Sequence, residues 1–149
     1  MNTTWLVVGL VFVSMMGCSA ARRSLKSFVA SVASSPPSAR PVVVVIAGPT
    51  AVGKSDVAML LASRLSGEIV SVDSVQVYKS VDVGSNKPSR AERDAIKHHL
   101  VDMVSPREAY TAGDFYRDAC GAVARITSTG KCPILVGGTS MYMHWIVSG

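Results

Sequence analysis

At 149 residues the chain is long enough for one domain with a proper core, and its formal net charge of +5 suggests a nucleic-acid surface until the charge is located. Arg22, Arg23, Lys26 and Arg40 all precede Pro41, no acidic residue occurs before Asp56, and from Pro41 onward 11 Lys/Arg stand against 10 Asp/Glu. The body is therefore nearly neutral and its bulk charge argues neither for nor against RNA. No repeat appears, and Cys18, Cys120 and Cys132 have neither CxxC nor zinc-finger spacing, which points to a reduced compartment and core-type thiols.

Residues 1–40 read as leader and linker. Trp5 to Met16 is apolar but too short to span a bilayer comfortably, and it runs into Gly-Cys-Ser-Ala, small residues of the kind a signal peptidase prefers. The following stretch, Ala21 to Arg40, is rich in Ser and Arg and free of acid, which is organellar-transit composition. Together they suit a bipartite leader to a plastid, with a mitochondrial presequence as the alternative; a membrane anchor or a misplaced start codon is the bland reading. Once the leader is removed, no stable membrane association is expected. Ser34 to Pro41 carries three prolines and reads as the linker into a folded body over 41–149.

Val42 to Ala47 is a short apolar run rich in β-branched residues, as expected of a strand buried on both faces. It leads into Gly48-Pro49-Thr50-Ala51-Val52-Gly53-Lys54-Ser55, which fits the phosphate-loop pattern G-x-x-x-x-G-K-[ST]. A helix follows, with Val57, Leu61 and Leu65 on one face. In this context the glycines let backbone N–H groups converge on an anion at the positive end of the helix. Lys54 adds a mobile charge, and the Ser55 hydroxyl is within reach of a Mg²⁺. A plain glycine turn is the alternative. The pattern predicts a polyphosphate and leaves its identity open.

Gly67 is expected to end that helix, and Glu68 to Val72 to form a second strand with Asp73 at its carboxyl end. In open α/β sheets ligands bind at this edge, so Asp73 should share a crevice with the phosphate loop, where Ser74, Val75 and Gln76 add groups able to grip a polar ring. The alternative is an Asp that merely caps a turn. Val83 to Pro88 is turn chemistry, and Ser89 with Glu92 makes a capping box. His98 to Asp102 reads as a strand, whose alternation leaves His98 and His99 poorly placed to share one metal. Thr111 caps a helix burying Phe115, Ala119, Ala122, Val123 and Ile126, Gly130 stops it, and Pro133 to Val136 is a further strand. Gly137-Gly138-Thr139 then forms a second glycine turn that brings Thr139 towards the same crevice. Alternating strands and helices predict an α/β fold: a parallel sheet of the P-loop NTPase type with helices on both faces.

Six motifs in order, Gly-Pro-Thr-Ala-Val-Gly-Lys-Ser, Asp-Ser-Val-Gln-Val-Tyr, Val-Gly-Ser-Asn-Lys-Pro, His-His-Leu-Val-Asp, Tyr-Thr-Ala-Gly-Asp-Phe-Tyr-Arg-Asp-Ala and Val-Gly-Gly-Thr-Ser-Met-Tyr, resemble the N-terminal half of the tRNA dimethylallyltransferases (tRNA isopentenyltransferases). The resemblance covers Val42 to Gly149. It implies transfer of a dimethylallyl group from dimethylallyl diphosphate to N6 of an adenine beside the anticodon of tRNA. It casts Gly48 to Ser55, with Mg²⁺ at Ser55, as the cradle for diphosphate and Asp73 as general base. It casts Asp73, Ser74, Val75, Gln76 and Thr139 as contacts to the anticodon stem-loop. Relatives that prenylate free adenine nucleotides usually carry Lys and Ser where Ser74 and Thr139 stand, which favours the tRNA-type reading over an adenylate isopentenyltransferase. A small-molecule P-loop kinase and a non-catalytic nucleotide-binding remnant are the other rivals. Ser140 replaces a usual Gly, and Asn86 a usual small residue. The family continues well past residue 149, so its fold is expected to be incomplete here, and this chain by itself inactive or very weak.

Overall fold

The protein is described by a computed structural model over residues 6–12, 27, 30–32 and 42–148. Among the described residues five parallel strands form one sheet in the order β1-β2-β5-β3-β4, where β1 is Leu6–Phe12, β2 Val42–Ala47, β3 Gly67–Val72, β4 His98–His99 and β5 Cys132–Gly137. The helices are α1 (Lys54–Leu65), α2 (Arg90–Ala95), α3 (Ala112–Ser128) and α4 (Ser140–Ser148).

The apolar strands bury both faces, and alternation sorts their side chains into two cores. Val44, Ile46, Ile69 and Ile134 pack with Val57, Ala58, Leu61 and Ala62 of α1. Val43, Val45, Val70, Val72 and Leu135 pack on the opposite face with Phe115, Ala119, Ala122, Val123 and Ile126 of α3. The Phe115 ring stacks on Tyr142 with centroids 4.1 Å apart, which ties α4 to α3. Helices thus cover both faces, as the pattern of the sequence predicts.

Two local expectations change, and one pairing goes beyond them. The helix before β3 is ended by Ser66 in the left-handed conformation (φ 49°), and Gly67 opens the strand instead; a Cβ there would stand 2.6 Å from the Cys132 carbonyl oxygen. The strand expected over His98 to Asp102 stops after His99, because Leu100 (φ 61°) and Asp102 (φ 54°) are left-handed and cannot continue a ladder. Finally, Leu6–Phe12, inside the run read as leader, lies along the outer edge of β2, with Leu6 opposite Val42 and Phe12 opposite Ala47. An open strand edge offers a row of unpaired backbone groups, and a β-branched apolar segment can pair with them. Most of the transit-like stretch and the linker at 34–41 lie outside the described residues.

At the amino ends of the strands, Glu68 is 7% exposed and accepts from His99 Nε2 at 2.6 Å and Lys131 Nζ at 2.7 Å. Burial pushes its carboxyl pKa up, and the hydrogen bonds from Lys131 and His99 outweigh that and hold it below the ordinary value.

Candidate functional site

The carboxyl ends of β2, β5 and β3 lie side by side because all three strands are parallel and adjacent. Each continues into one of the segments singled out in the sequence: Gly48 to Ser55 after β2, Asp73 to Gln76 after β3, and Gly138-Thr139 after β5. Gly137 makes this closeness possible, since a Cβ on it would come 1.9 Å from the Val72 carbonyl oxygen. Gly138 packs against the loop after β2, with a would-be Cβ 3.4 Å from the Gly48 carbonyl oxygen. All three segments line a single cavity of about 660 Å³.

Within the loop, Gly53 is left-handed (φ 80°) and serves as N-cap of α1 without a side-chain cap, and it lines the cavity with the first-turn residues Lys54, Ser55 and Asp56. Lys54 Nζ donates to the Pro49 carbonyl at 2.5 Å, so the lysine is folded back on its own loop. Burial lowers the Lys54 pKa below its ordinary value, and the nearby Asp73 carboxylate offsets part of that effect. Ser55 is exposed at the first turn of α1, and both it and Asp56 line the cavity.

Asp73 is half-buried. Its Oδ1 accepts from the backbone N–H of Val75 (2.8 Å) and of Gln76 (3.2 Å), an Asx-type turn that aims the carboxylate and leaves Oδ2 for another partner. Capping a turn and facing the cavity, alternatives in the sequence, are here both true of one side chain. Ser74 and Val75 are exposed on the cavity wall, and Thr139 is half-buried there.

Gln76 lines the cavity and also braces the neighbouring turn. Both of its amide protons go to backbone carbonyls, Ser85 O at 3.1 Å and Asn86 O at 3.0 Å, and its Oε1 accepts from Ser71 Oγ at 2.8 Å. The side chain therefore clamps the 85–86 turn, where Asn86 is left-handed (φ 49°), a conformation that Asn tolerates better than most residues.

Sequence reasoning passed over Ser71 and His98 as wall residues. Ile69, Ser71 and Asp73 alternate along β3 and share one face, and His98 pairs with Ile69 across the β3–β4 ladder. A serine within the apolar run Ile69–Val72, two residues before Asp73, was the available signal. His98 Nδ1 lies 2.7 Å from the Ile96 carbonyl and donates to it, which leaves Nε2 as an acceptor; burial lowers its pKa. His99 instead pairs with Glu68 at the opposite end of the sheet.

Residues 76–149 match the family described as IPP transferase. The chain is 51% identical over 107 residues to tRNA dimethylallyltransferase 9 of Arabidopsis thaliana, covering 72% of this chain and 23% of that protein. It is 53% identical over 107 residues to the tRNA dimethylallyltransferase of Halorhodospira halophila, covering 72% and 34%. Among solved structures it is similar to the tRNA delta(2)-isopentenylpyrophosphate transferase of Staphylococcus epidermidis (TM-score 0.68, 38% identity, 71% of this chain and 35% of that one). It is also similar to a eukaryotic dimethylallyltransferase captured acting on tRNA (TM-score 0.67, 41% identity, 69% and 26%). The chain thus spans between about a quarter and a third of the length of these relatives.

Proposed function

We propose that the chain is part of a tRNA dimethylallyltransferase of the IPP transferase family, and that it carries the diphosphate cradle and the general base of such an enzyme. The reaction moves a dimethylallyl group from dimethylallyl diphosphate to N6 of an adenine beside the anticodon. One observation carries this reading: a phosphate-type loop and a carboxylate with a free oxygen open into the same cavity.

The chemistry explains why these two groups belong together. As the carbon–oxygen bond of the donor breaks, negative charge grows on diphosphate, and the Gly48–Ser55 backbone N–H groups and Lys54 stabilise it. Lys54 must first leave Pro49. The exocyclic amine of adenine is a poor nucleophile because its lone pair is delocalised into the ring, so a proton must leave N6 as the new bond to carbon forms. Asp73 Oδ2 accepts that proton while Oδ1 stays held by the turn. The adenine must leave its stack to reach the cavity, as single-stranded loop bases readily do, and Ser74, Val75 and Thr139 line the wall it would meet.

The oxygen donors on this wall, the exposed Ser55 hydroxyl with the Asp56 and Asp73 carboxylates, are of the hard type that suits Mg²⁺. Such an ion would neutralise charge on the departing diphosphate. In the leader, the acid-free composition of the first 40 residues supports an organellar destination, plastid before mitochondrion. Imaging of a fluorescent fusion decides between them.

The test joins residues 41–149 to the C-terminal remainder of the Arabidopsis relative and offers labelled dimethylallyl diphosphate with tRNA, ADP and ATP in parallel. Label in the anticodon loop is the expected outcome. Label in ADP or ATP and none in tRNA turns the assignment to an adenylate prenyltransferase; phosphate transfer from ATP without prenyl transfer turns it to a kinase.

A further inference from the structure

Lys87 belongs to the turn Val83 to Pro88, which the chemistry above leaves unused. Its side chain is 6% exposed, and its ammonium meets three acceptors from three separate segments: the Tyr78 carbonyl at 2.8 Å, Asp82 Oδ1 at 2.9 Å and Asp102 Oδ1 at 2.6 Å. An ammonium has three protons, so its donor capacity is filled within the protein and none is left for a ligand. The other oxygen of Asp102 accepts from Arg93 Nη1 at 2.6 Å.

What these bonds hold is the segment that carries Asp73. The Asp102 N–H donates to the Gln76 carbonyl at 3.1 Å, and the N–H groups of Met103 and Val104 both reach the Val77 carbonyl, at 2.8 and 3.0 Å. Lys79 N–H returns to Val104 O at 2.9 Å. The supporting segment is itself in an unfavourable conformation, with Leu100 and Asp102 both left-handed, and such a backbone persists only where its surroundings over-determine it. From the opposite side Gln76 grips Ser85 and Asn86, next to Lys87 in sequence.

We propose that Lys87 is a positioning residue that fixes the Asp73–Gln76 turn by pinning Tyr78, Asp82 and Asp102 together, so that Asp73 Oδ2 keeps one direction towards the diphosphate loop. The consequence for catalysis rests on the prenyl-transfer reading above; the pinning itself does not. Arginine is no substitute, because a planar fork cannot meet three acceptors converging on one point.

Hydrogen exchange on the 149-residue chain tests the pin. In Lys87→Met the amides of Gln76, Asp102, Met103 and Val104 should exchange at least tenfold faster, those of β2 and β5 less than twofold faster, and Lys87→Arg should resemble Lys87→Met. Affinity for inorganic diphosphate should stay within about threefold of wild type. Uniform acceleration over the whole chain reduces Lys87 to general stability, no acceleration removes the pin, and restoration by Arg shows that charge alone matters; each overturns the proposal. In the chimera, Lys87→Met should lower kcat for transfer at least tenfold with KM for dimethylallyl diphosphate nearly unchanged. Fast exchange with unchanged kcat would also overturn it. A wild-type chimera that does not transfer defeats the prenyl-transfer reading instead, and leaves the exchange measurement to decide the pin.

Discussion

The two ends of the parallel sheet hold similar side chains in opposite circumstances. At the amino ends Glu68 is closed off: His99 and Lys131 bond its two oxygens, and the Lys97 ammonium lies 4.0 Å away. At the carboxyl ends Asp73 has an oxygen without a hydrogen bond among the described residues, and Lys54 is parked on a carbonyl. An acid and bases that satisfy one another serve the fold. An acid and a base that face a cavity without meeting are available for a ligand. The contrast shows that residue type says little about function until the spare hydrogen-bonding capacity is counted.

The sharpest way to break this contrast is at Asp73. Asp73→Asn should keep the turn, since an amide oxygen also accepts from Val75 and Gln76, yet lower transfer by the chimera about 10²–10⁴-fold. Diphosphate affinity by calorimetry should hardly change. Equal transfer by the variant would end the general-base assignment.

Gly137→Ala comes next. The new methyl group would collide with the Val72 carbonyl, a backbone atom that cannot move without parting β3 from β5. A loss of about 3 kcal/mol or more in urea unfolding is expected.

At the closed end, Glu68→Gln should cost about 2 kcal/mol in the same measurement, because charge-assisted bonds to His99 and Lys131 are lost. Diphosphate affinity should be untouched. If it fell, the two ends would be coupled and the contrast between them too simple.

The pH dependence separates the same groups. The hydrogen bond from Lys87 lowers the Asp102 pKa against the effect of burial, and Arg93 adds to it, while Glu68 is lowered as described above. A lowered folded-state carboxyl pKa contributes stability above the unfolded carboxylate range, about pH 4, which is lost as pH falls through the folded value. His98, lowered by burial, adds a gentler decline starting earlier, as pH drops below about 6.5 and only the unfolded chain takes up the proton. Urea midpoints between pH 7.5 and 3 should show both limbs, and Glu68→Gln should shrink only the acid one. The smallest effect is at a cap: Ser89→Ala removes the acceptor for the Glu92 N–H and should cost about 1 kcal/mol by thermal unfolding.

Much of this was readable in the linear chain, because its signals are local. β-Branched runs gave strands buried on both faces, and the spacing of Phe115, Ala119, Ala122, Val123 and Ile126 gave one face of a helix. Ser89 and Thr111 marked their helix starts through capping boxes, both formed in the structure. Gly53-Lys54-Ser55 marked a turn from strand to helix. The errors fell where long-range contacts override local preference. Leu100 and Asp102 look like strand residues until Lys87 and Arg93, from elsewhere in the chain, draw Asp102 aside. Leu6–Phe12 shows the same dependence on tertiary context, since its pairing with the outer edge of β2 could not be read from its composition.

Residue chemistry along the chain was sufficient to place a glycine loop of the phosphate-loop pattern after one strand and an acid at the end of the next. It was not sufficient to say that Gln76 would use both amide protons on its own loop, that His98 would face the cavity, or that Lys87 would have no donor to spare. Those facts depend on which segments meet in space, and a side chain's free valence is known only after its neighbours have taken their share.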